Sequence, residues 1–296
     1  MKILDDLKLQ YRMGGVAQKL IYWNVGLFAV PYIVFGLLRL FGFTIDFLSY
    51  VSLSSDPLDL LWKPWSIITY AFFHTGFFHI LFNMLVLNFC SSLFTTYFTQ
   101  KQLLNLYFVG GIFAGIVYII CYFIFPALQH LKTSLVGASG AVMAILFAAA
   151  SFSPFTQVRL FLIGTVKLWH IALALIAIDL IQLPLENTGG HLAHLGGAAF
   201  GYLYINQIRK GNDITRWFSK IVDGLVHLFR GKPSTPFKKV HKNYTAPAPV
   251  TKTGSKIVTK DKTQQRIDDI LDKISRSGYD SLSNDEKEFL FKAGKN

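Results

Sequence analysis

The chain has 296 residues, of which 52% are hydrophobic, and its mean hydropathy is +0.40. The apolar residues come in long blocks rather than amphipathic periods, so the composition excludes an ordinary soluble protein and indicates a multi-span α-helical membrane protein. The net charge of +12 does not indicate nucleic acid as a partner, because the basic residues lie outside the apolar blocks, mostly after residue 207. The two cysteines both fall inside apolar blocks, where a disulfide framework is not expected.

The apolar blocks predict six membrane-spanning helices, which follow a polar segment of residues 1–19. The first block is long enough for the roughly 20 residues that a hydrocarbon core requires. We find no small-residue cleavage site after it, so we interpret it as an uncleaved span rather than a signal peptide. The predicted spans are residues 20–41, 77–98, 101–125, 137–152, 160–183 and 191–208.

A long connection, residues 43–65, joins the first two predicted spans and is rich in aromatic residues. It is too polar to span a membrane and too apolar for a free loop. Because Trp and Tyr prefer the membrane interface, we expect this connection to lie in or on the outer interface. Residues 66–76 are then a lead-in to the second span.

Lys and Arg are unevenly distributed between the two sides of the predicted bundle. They precede the first span and flank the even-numbered turns and the exit from the sixth span, whereas the opposite loops offer mainly Lys63 and Lys132. Because cytoplasmic loops carry an excess of these residues, the sequence predicts a multi-pass protein of the cell membrane with both termini in the cytoplasm.

The tail after residue 208 divides into three parts. Residues 209–230 carry apolar residues at near-helical spacing among Lys and Arg, as in an interfacial amphipathic helix. Residues 231–262 are rich in Lys, Thr and Pro, which is typical of a disordered basic linker. In residues 263–296 apolar periodicity returns, and Ser283 followed by Glu286 predicts a capping box. We expect a small helical hairpin there, anionic lipids as partners of the basic tail, and no catalytic role.

Polar side chains in or beside the predicted spans are the candidates for function, because such residues are costly in hydrocarbon and usually face the bundle interior. Acyl transfer needs a nucleophile, a base and donors aimed at an oxyanion. Five residues supply that set: His74, His79, Asn83, Ser139 and His194. A further polar residue, Asp179, stands deep in the fifth block and is expected to form a hydrogen bond inside the bundle.

Small residues predict that the fourth and sixth spans pack closely enough for a short serine to reach an imidazole. Such residues at four-residue spacing let helix backbones approach one another. They are Gly140, Ala144 and Ala148 after Ser139, and Gly197 and Gly201 after His194.

Two purely structural interpretations of these residues, and one interpretation as a metal site, compete with the catalytic interpretation. A lone serine in a spanning helix is often bonded to its own turn, and small-residue faces are often only packing devices. His-x-x-His places two imidazoles on one helical face, so a metal site is conceivable, formed by His74, His79, His191 and His194. The sequence has no His-Glu-x-x-His and no evident supporting carboxylate, and we therefore expect neither a metal nor another cofactor.

Four motifs, in order along the chain, resemble the rhomboid intramembrane serine proteases. They are Pro64-Trp65, His74-x4-His79-x3-Asn83, Gly137-Ala138-Ser139-Gly140 and Ala193-His194-Leu195-Gly196-Gly197-x3-Gly201. Each motif is weak alone, but the four in this order on successive spans are specific. The resemblance covers about residues 20–208 and implies an all-α, six-helix rhomboid protease domain over those residues.

The resemblance also implies roles for individual residues. Ser139 is the nucleophile and His194 the general base, a dyad without an acidic third member. His79, Asn83 and the backbone N–H of Ser139 correspond to the oxyanion hole. The implied supporting residues are His74, Gly137, Gly140, Met143, Gly197 and Gly201. The implied substrates are single-span membrane proteins that are cut near the outer face, in a cavity partly roofed by residues 43–65.

Two departures from the family pattern bear on these expectations. Ser66 stands where the family commonly has Arg after Trp, which puts the usual anchoring of that connection in doubt. Met143 stands where many members have a Tyr packed on the catalytic histidine, so another residue must hold His194, with Met143 itself one candidate.

Two other classes of function remain as alternatives. A rhomboid-like pseudoprotease would bind membrane proteins without cleaving them, but relatives of that kind lack the dyad, whose two residues are both present in this chain. A transporter or channel would have a path lined by charges, whereas the polar residues here cluster at one depth.

Overall fold

A computed structural model of the chain describes residues 3–161, 163–229 and 262–293, and these fall into two compact units, residues 3–229 and residues 262–293. Both units are built mainly from helices. Those of the larger unit are α1 (Ile3–Met13), α2 (Val16–Leu40), α3 (Leu48–Val51), α4 (Asp59–Trp62), α5 (Ser66–Thr69), α6 (Phe77–Thr95), α7 (Gln100–Ile124), α8 (Ser139–Phe152), α9 (Leu168–Gln182), α10 (Thr188–Arg209) and α11 (Arg216–Phe229), with a 3-10 turn at Tyr70–Phe72.

Three of the described helices are long and apolar enough to cross a membrane: α2, α6 and α7. They correspond to the first three predicted spans. The apolar helices α8 and α9 are shorter, with 14 and 15 residues, and α10 has 22. The chain is therefore a helical membrane protein in which helices of spanning length pack with shorter apolar ones.

The predicted fifth span is wrong in its first part. The described residues at the start of this predicted span do not form a helix. Leu160 ends strand β3 (Gln157–Leu160), which pairs in antiparallel fashion with β4 (Gly164–Lys167), and α9 starts only at Leu168. The two strands contain the β-branched residues Val158, Thr165 and Val166, which suit a pleated strand. A short apolar run does not distinguish a strand from a helix by composition alone, which is why the boundary was misplaced.

The connection between α2 and α6 is ordered by contacts with the bundle. Its strand β1 (Leu53–Ser54) pairs with β2 (Ser134–Leu135), which immediately precedes the Ser139 motif. The indole of Trp65 donates to the carbonyl of Tyr50 at 2.8 Å. Trp65 thus ties two parts of this connection to each other, although Ser66 replaces the usual Arg.

Helix α8 lies at the centre of the larger unit, where every residue from 140 to 150 is buried. Helix α10 packs against it without intervening side chains. A Cβ at Gly197 would collide with the carbonyl oxygen of Gly140, and one at Gly201 with that of Ala144. The predicted close approach of these two helices is confirmed, and it depends on glycine at both positions.

Helix α11 docks on the first turns of α7. Ser219 and Asn105 exchange two buried hydrogen bonds, of 2.6 and 2.8 Å, and the rings of Phe218 and Phe108 stack at 5.2 Å. The helix also leaves large apolar side chains exposed, which are Trp217, Ile221, Leu225 and Leu228.

The smaller unit has α12 (Lys262–Ser277), a 3-10 turn (Tyr279–Ser281) and α13 (Asn284–Ala293). The predicted capping box is present, because Glu286 N–H donates to Ser283 Oγ and Ser283 N–H donates to Glu286 Oε2. The linker predicted for residues 231–262 lies almost wholly outside the described residues.

Candidate active site

Ser139 is the first residue of α8 and is presented by a tight turn. Gly137 has φ of +128°, a conformation that side chains rarely adopt, and its N–H donates to the carbonyl of Tyr70 at 2.9 Å. A Cβ at Gly137 would also lie 2.8 Å from Nε2 of His79. Because the first N–H groups of a helix have no intrahelical partner, the N–H of Ser139 is free to bind an incoming oxygen.

Ser139 and His194 face the same cavity, of about 440 Å³. His194 lies in the second turn of α10, the helix whose glycines allow the close contact with α8. The residues that line the cavity are Thr75, His79, Asn83, Ser134, Leu135, Val136, Ser139, Asn187, Gly190 and His194. The structure thus brings together in one cavity four of the five residues predicted to supply the chemistry, which come from α6, α8 and α10.

Two donors of the predicted oxyanion hole lie on one face of α6. The amide of Asn83 donates to the carbonyl of His79 at 2.8 Å, which uses one of its two N–H bonds and leaves the other available. Nδ1 of His79 lies 3.2 Å from the hydroxyl of Thr75. If that hydroxyl is the donor, Nε2 of His79 carries the proton and can donate into the cavity.

His74 does not line the cavity but lies directly behind it, fully buried. Its Nε2 accepts the N–H of Ala138 at 3.4 Å, and its ring meets that of His79 edge to face at 5.0 Å. Tyr32 of α2 donates to the carbonyls of His74 and Thr75. His74 therefore supports the turn before Ser139 rather than contacting a substrate.

The histidine expected to lack an acidic partner has one. Oδ1 of Asp179 lies 2.8 Å from Nδ1 of His194 and 2.7 Å from Nδ1 of His191. The expected hydrogen bond of Asp179 inside the bundle is confirmed. The resemblance implied no acidic partner for His194, and Met143 was one candidate for holding that histidine. Both expectations are corrected: Met143 is buried in the apolar core, and the carboxylate of Asp179 contacts His194.

The same contacts correct the argument against a metal site. A carboxylate does lie among the histidines, and the ligand atoms of Asp179, His191 and His194 are all within 4.8 Å of one another. His74 and His79 do not belong to that group. Of the described residues, these three form the set that could hold a metal ion.

Sequence reasoning missed three residues of the cavity and its wall. Thr75 follows His74 directly and contacts His79. Asn187 adopts φ of +49° and caps α10 through the N–H of Gly190 at 3.3 Å. Asn before a Gly-Gly pair at a predicted helix start is a capping signal that could have identified it. Ser134 enters the cavity wall through β2, whose pairing with a distant segment no local pattern shows.

The fold and this cavity define a class of protein, a helical membrane protein with a partly buried serine and histidine facing one cavity. Comparison with known families agrees: residues 61–210 match the family described as Rhomboid domain. The chain belongs to the rhomboid family. Residues 258–295 match a family of unknown function (DUF6576).

Individual relatives carry rhomboid names. The chain is 34% identical over 138 residues to presenilin-associated rhomboid-like protein A, mitochondrial, of Danio rerio, covering 46% of this chain and 35% of the relative. It is 30% identical over 215 residues to the Mus musculus presenilin-associated rhomboid-like protein, covering 68% and 55%. RHOMBOID-like protein 12, mitochondrial, of Arabidopsis thaliana is 30% identical over 157 residues, covering 49% and 47%. The chain thus spans between a third and just over half of these relatives' lengths.

The names of these relatives place those proteins in mitochondria. They contradict the expectation of a cell-membrane location. The physical reason for the error is that the distribution of Lys and Arg orients spans relative to one another but does not say which membrane holds them.

Proposed function

We propose that this rhomboid-family chain is an intramembrane serine endopeptidase that uses Ser139 as nucleophile and His194 as general base. The observation that carries the proposal is the single cavity that Ser139, His194, His79 and Asn83 all line. They come from three helices, and no packing requirement alone would direct four polar side chains into one space beside an apolar core.

The reaction would proceed by acyl transfer. Oγ of Ser139 attacks a peptide carbonyl carbon while His194 takes the hydroxyl proton. The negative charge on the carbonyl oxygen is stabilised by donors from His79, Asn83 and the N–H of Ser139. The C–N bond then breaks, His194 returns the proton to the leaving amine, and water hydrolyses the acyl-enzyme. This chemistry requires no cofactor.

The substrates would be single-span membrane proteins, cut where their helix is weakened. A helical peptide bond is hydrogen-bonded and shielded, so the scissile segment must first unwind to enter the cavity. We further propose that α2, α6, α7, α8, α9 and α10 form a six-helix bundle in the bilayer. The exposed apolar face of α11, with Arg216 and Lys220 beside it, suits an interface with anionic lipid.

Labelling with a fluorophosphonate probe tests the activation of Ser139. Purified wild type in detergent is compared with Ser139→Ala and His194→Ala, and Ser151→Ala serves as the matched control because it removes a hydroxyl from the same helix about three turns away. We expect labelling of wild type and Ser151→Ala, and loss of labelling in both site variants with unchanged thermal unfolding.

Cleavage of a reporter span with small, helix-weakening residues tests the reaction itself. Wild type and Ser151→Ala are expected to cut it, whereas Ser139→Ala is not. If the folded wild type neither reacts with the probe nor cleaves the reporter, the proposal is wrong, and the non-cleaving pseudoprotease becomes the better interpretation.

A further inference from the structure

The carboxylate of Asp179 lies at the centre of a buried polar cluster between α9 and α10. The side chains of Asp179 and His191 are 6% and 9% exposed, and that of His194, which reaches the cavity, is 24% exposed. Within the described chain, the ion-pair contacts of Asp179 are with these two histidines. A carboxylate so far from water is tolerated only where donors satisfy it, and the two imidazoles are those donors.

The shared oxygen determines which histidine nitrogens carry protons. Both Nδ1 atoms approach Oδ1 of Asp179, at 2.7 and 2.8 Å. An ionised carboxylate only accepts hydrogen bonds, so both Nδ1 atoms must be N–H donors. In a neutral His194 the unprotonated nitrogen is then Nε2. Nε2 is the atom that a general base needs free, and Nδ1 cannot serve while Asp179 occupies it.

We propose that Asp179 is a positioning residue that fixes the tautomer and ring orientation of His194 for catalysis, with His191 as the second donor that holds the carboxylate in place. The proposal rests on the proposed protease function and adds Asp179 as the third member of a Ser139–His194–Asp179 arrangement on three helices. When His194 accepts the proton of Ser139, the Asp179 carboxylate stabilises the resulting imidazolium without taking the proton.

His191 distinguishes this arrangement from a simple triad. Its ring lies 5.9 Å from that of His194 and almost perpendicular to it, and it is nearly fully buried. With two N–H donors from one helix on the same oxygen, the position of Oδ1 is fixed by two contacts rather than one. His191 is therefore needed for the precision of the site but does not touch the substrate.

The decisive comparison is between Asp179→Asn and Asp179→Glu, assayed for reporter cleavage and probe labelling in the full-length protein. Asn matches Asp in shape but has no charge and can donate through its amide, so it no longer enforces the Nδ1–H tautomer. Glu keeps the charge but adds a methylene. Glu186→Gln, an exposed carboxylate in the turn before α10, is the matched control.

We expect kcat of Asp179→Asn to fall at least about tenfold, toward the roughly 10⁴-fold loss seen when soluble serine proteases lose the equivalent aspartate. KM should stay near the wild-type value, and Asp179→Glu should be more active than Asp179→Asn. If Asp179 served only in packing, Asp179→Asn would be more active than Asp179→Glu, because Asn fits the site and Glu does not. Wild-type kcat in a folded Asp179→Asn would overturn the proposal while leaving the protease function intact.

If Asp179→Asn does not fold, cleavage by Asp179→Ala, measured with and without added formate, tests the proposal instead. Formate can occupy the vacated space and accept from Nδ1 of His194, so a formate-dependent gain in cleavage is expected; no gain would overturn the proposal. A folded wild type that never cleaves defeats the protease function and this proposal together.

A chelator separates the positioning role from a metal site. The proposal expects wild-type cleavage to be unchanged after treatment with EDTA. Loss of cleavage on EDTA, with recovery on added Zn²⁺, would show that Asp179, His191 and His194 hold a metal instead.

Discussion

At the scale of single residues, the turn at Gly137, whose N–H donates to the carbonyl of Tyr70, positions the candidate nucleophile Ser139. Gly137 supplies a left-handed backbone conformation and leaves room for Nε2 of His79, so one glycine both turns the chain and brings a candidate donor beside the serine. The N–H of Ser139 is free because it begins α8. The candidate nucleophile and two candidate oxyanion donors, the N–H of Ser139 and the ring of His79, thus lie close to the bend at Gly137.

Asn83→Ala should impair the enzyme without abolishing it. Asn83 uses one N–H bond on the carbonyl of His79 and keeps one for the oxyanion, and losing one such donor costs serine hydrolases roughly 10²–10³ in rate. We expect a fall of that size in kcat for reporter cleavage. Asn88→Ala, on an exposed face of α6, is the matched control. Wild-type turnover in Asn83→Ala would remove Asn83 from the oxyanion hole.

At the scale of elements, the contact between α8 and α10 decides whether a serine and a histidine on separate helices can cooperate. Backbone touches backbone at Gly197 and Gly201. Larger residues would separate the helices, and the short side chain of Ser139 could not compensate. The proposed cooperation of Ser139 with His194 therefore depends on the same glycines that allow the two helices to pack.

Gly201→Ala should lower both stability and activity. The added methyl group would meet the carbonyl of Ala144 and the backbone N of Ala148, neither of which can move without shifting α8. Overpacking of this kind costs about 1–3 kcal/mol. Thermal unfolding in detergent should show a lower midpoint, with weaker probe labelling. Gly36→Ala in α2, where an added Cβ has open space, is the control. An unchanged midpoint would mean that the helices are not in tight contact.

The cap of α13 predicts a pH effect in the smaller unit. Hydrogen bonds from Lys273 and from Ser283 lower the pKa of Glu286 from 4.5 to about 2. A carboxylate with a lowered folded pKa stabilises the fold above its unfolded pKa, and that contribution disappears as the pH falls from about 4.5 toward 2.

Acidification through that range should therefore loosen α13, measured as lower amide protection factors, relative to the intrinsic exchange rate at each pH, in residues 284–293 of the full chain. In Glu286→Gln, the amides of residues 284–293 should be less protected than in wild type already at neutral pH. Their protection should also change less on acidification. Glu288→Gln, which removes only a surface pair with Lys292, should behave as wild type. Equal acid response in all three proteins would contradict the role of Glu286.

At the scale of the whole molecule, the candidate chemistry lies entirely in one unit. All residues of the cavity lie between Thr75 and His194, within the larger unit and within the region that matches the rhomboid family. The smaller unit matches a separate family of unknown function. Catalysis and the tail are therefore expected to be separable.

Deleting residues 231–296 should leave reporter cleavage in detergent unchanged, because no residue of the cavity is removed. The control is the same deletion combined with Ser139→Ala, which should be inactive. A fall in kcat on deletion, with thermal unfolding of the larger unit unchanged, would give the tail a catalytic role that the cavity does not explain.

The sequence alone determined the features that depend on composition and on the order of residues. Apolar blocks indicated membrane helices, small residues at helical spacing indicated the contact of α8 with α10, and four ordered motifs indicated the family and the residues His79, Asn83, Ser139 and His194. Each is a local property, because apolar length and helical periodicity are set by neighbouring residues.

Only the tertiary structure decided which distant groups meet. The paired strands β3 and β4 could not be told from a helix by their apolar content. Asp179 was recognisable as a costly residue, but its contacts with His191 and His194 arise between separate helices and depend on how α9 packs on α10. The partner of a buried charge is fixed by packing in three dimensions, and for that reason the acidic neighbour of His194 emerged only from the fold.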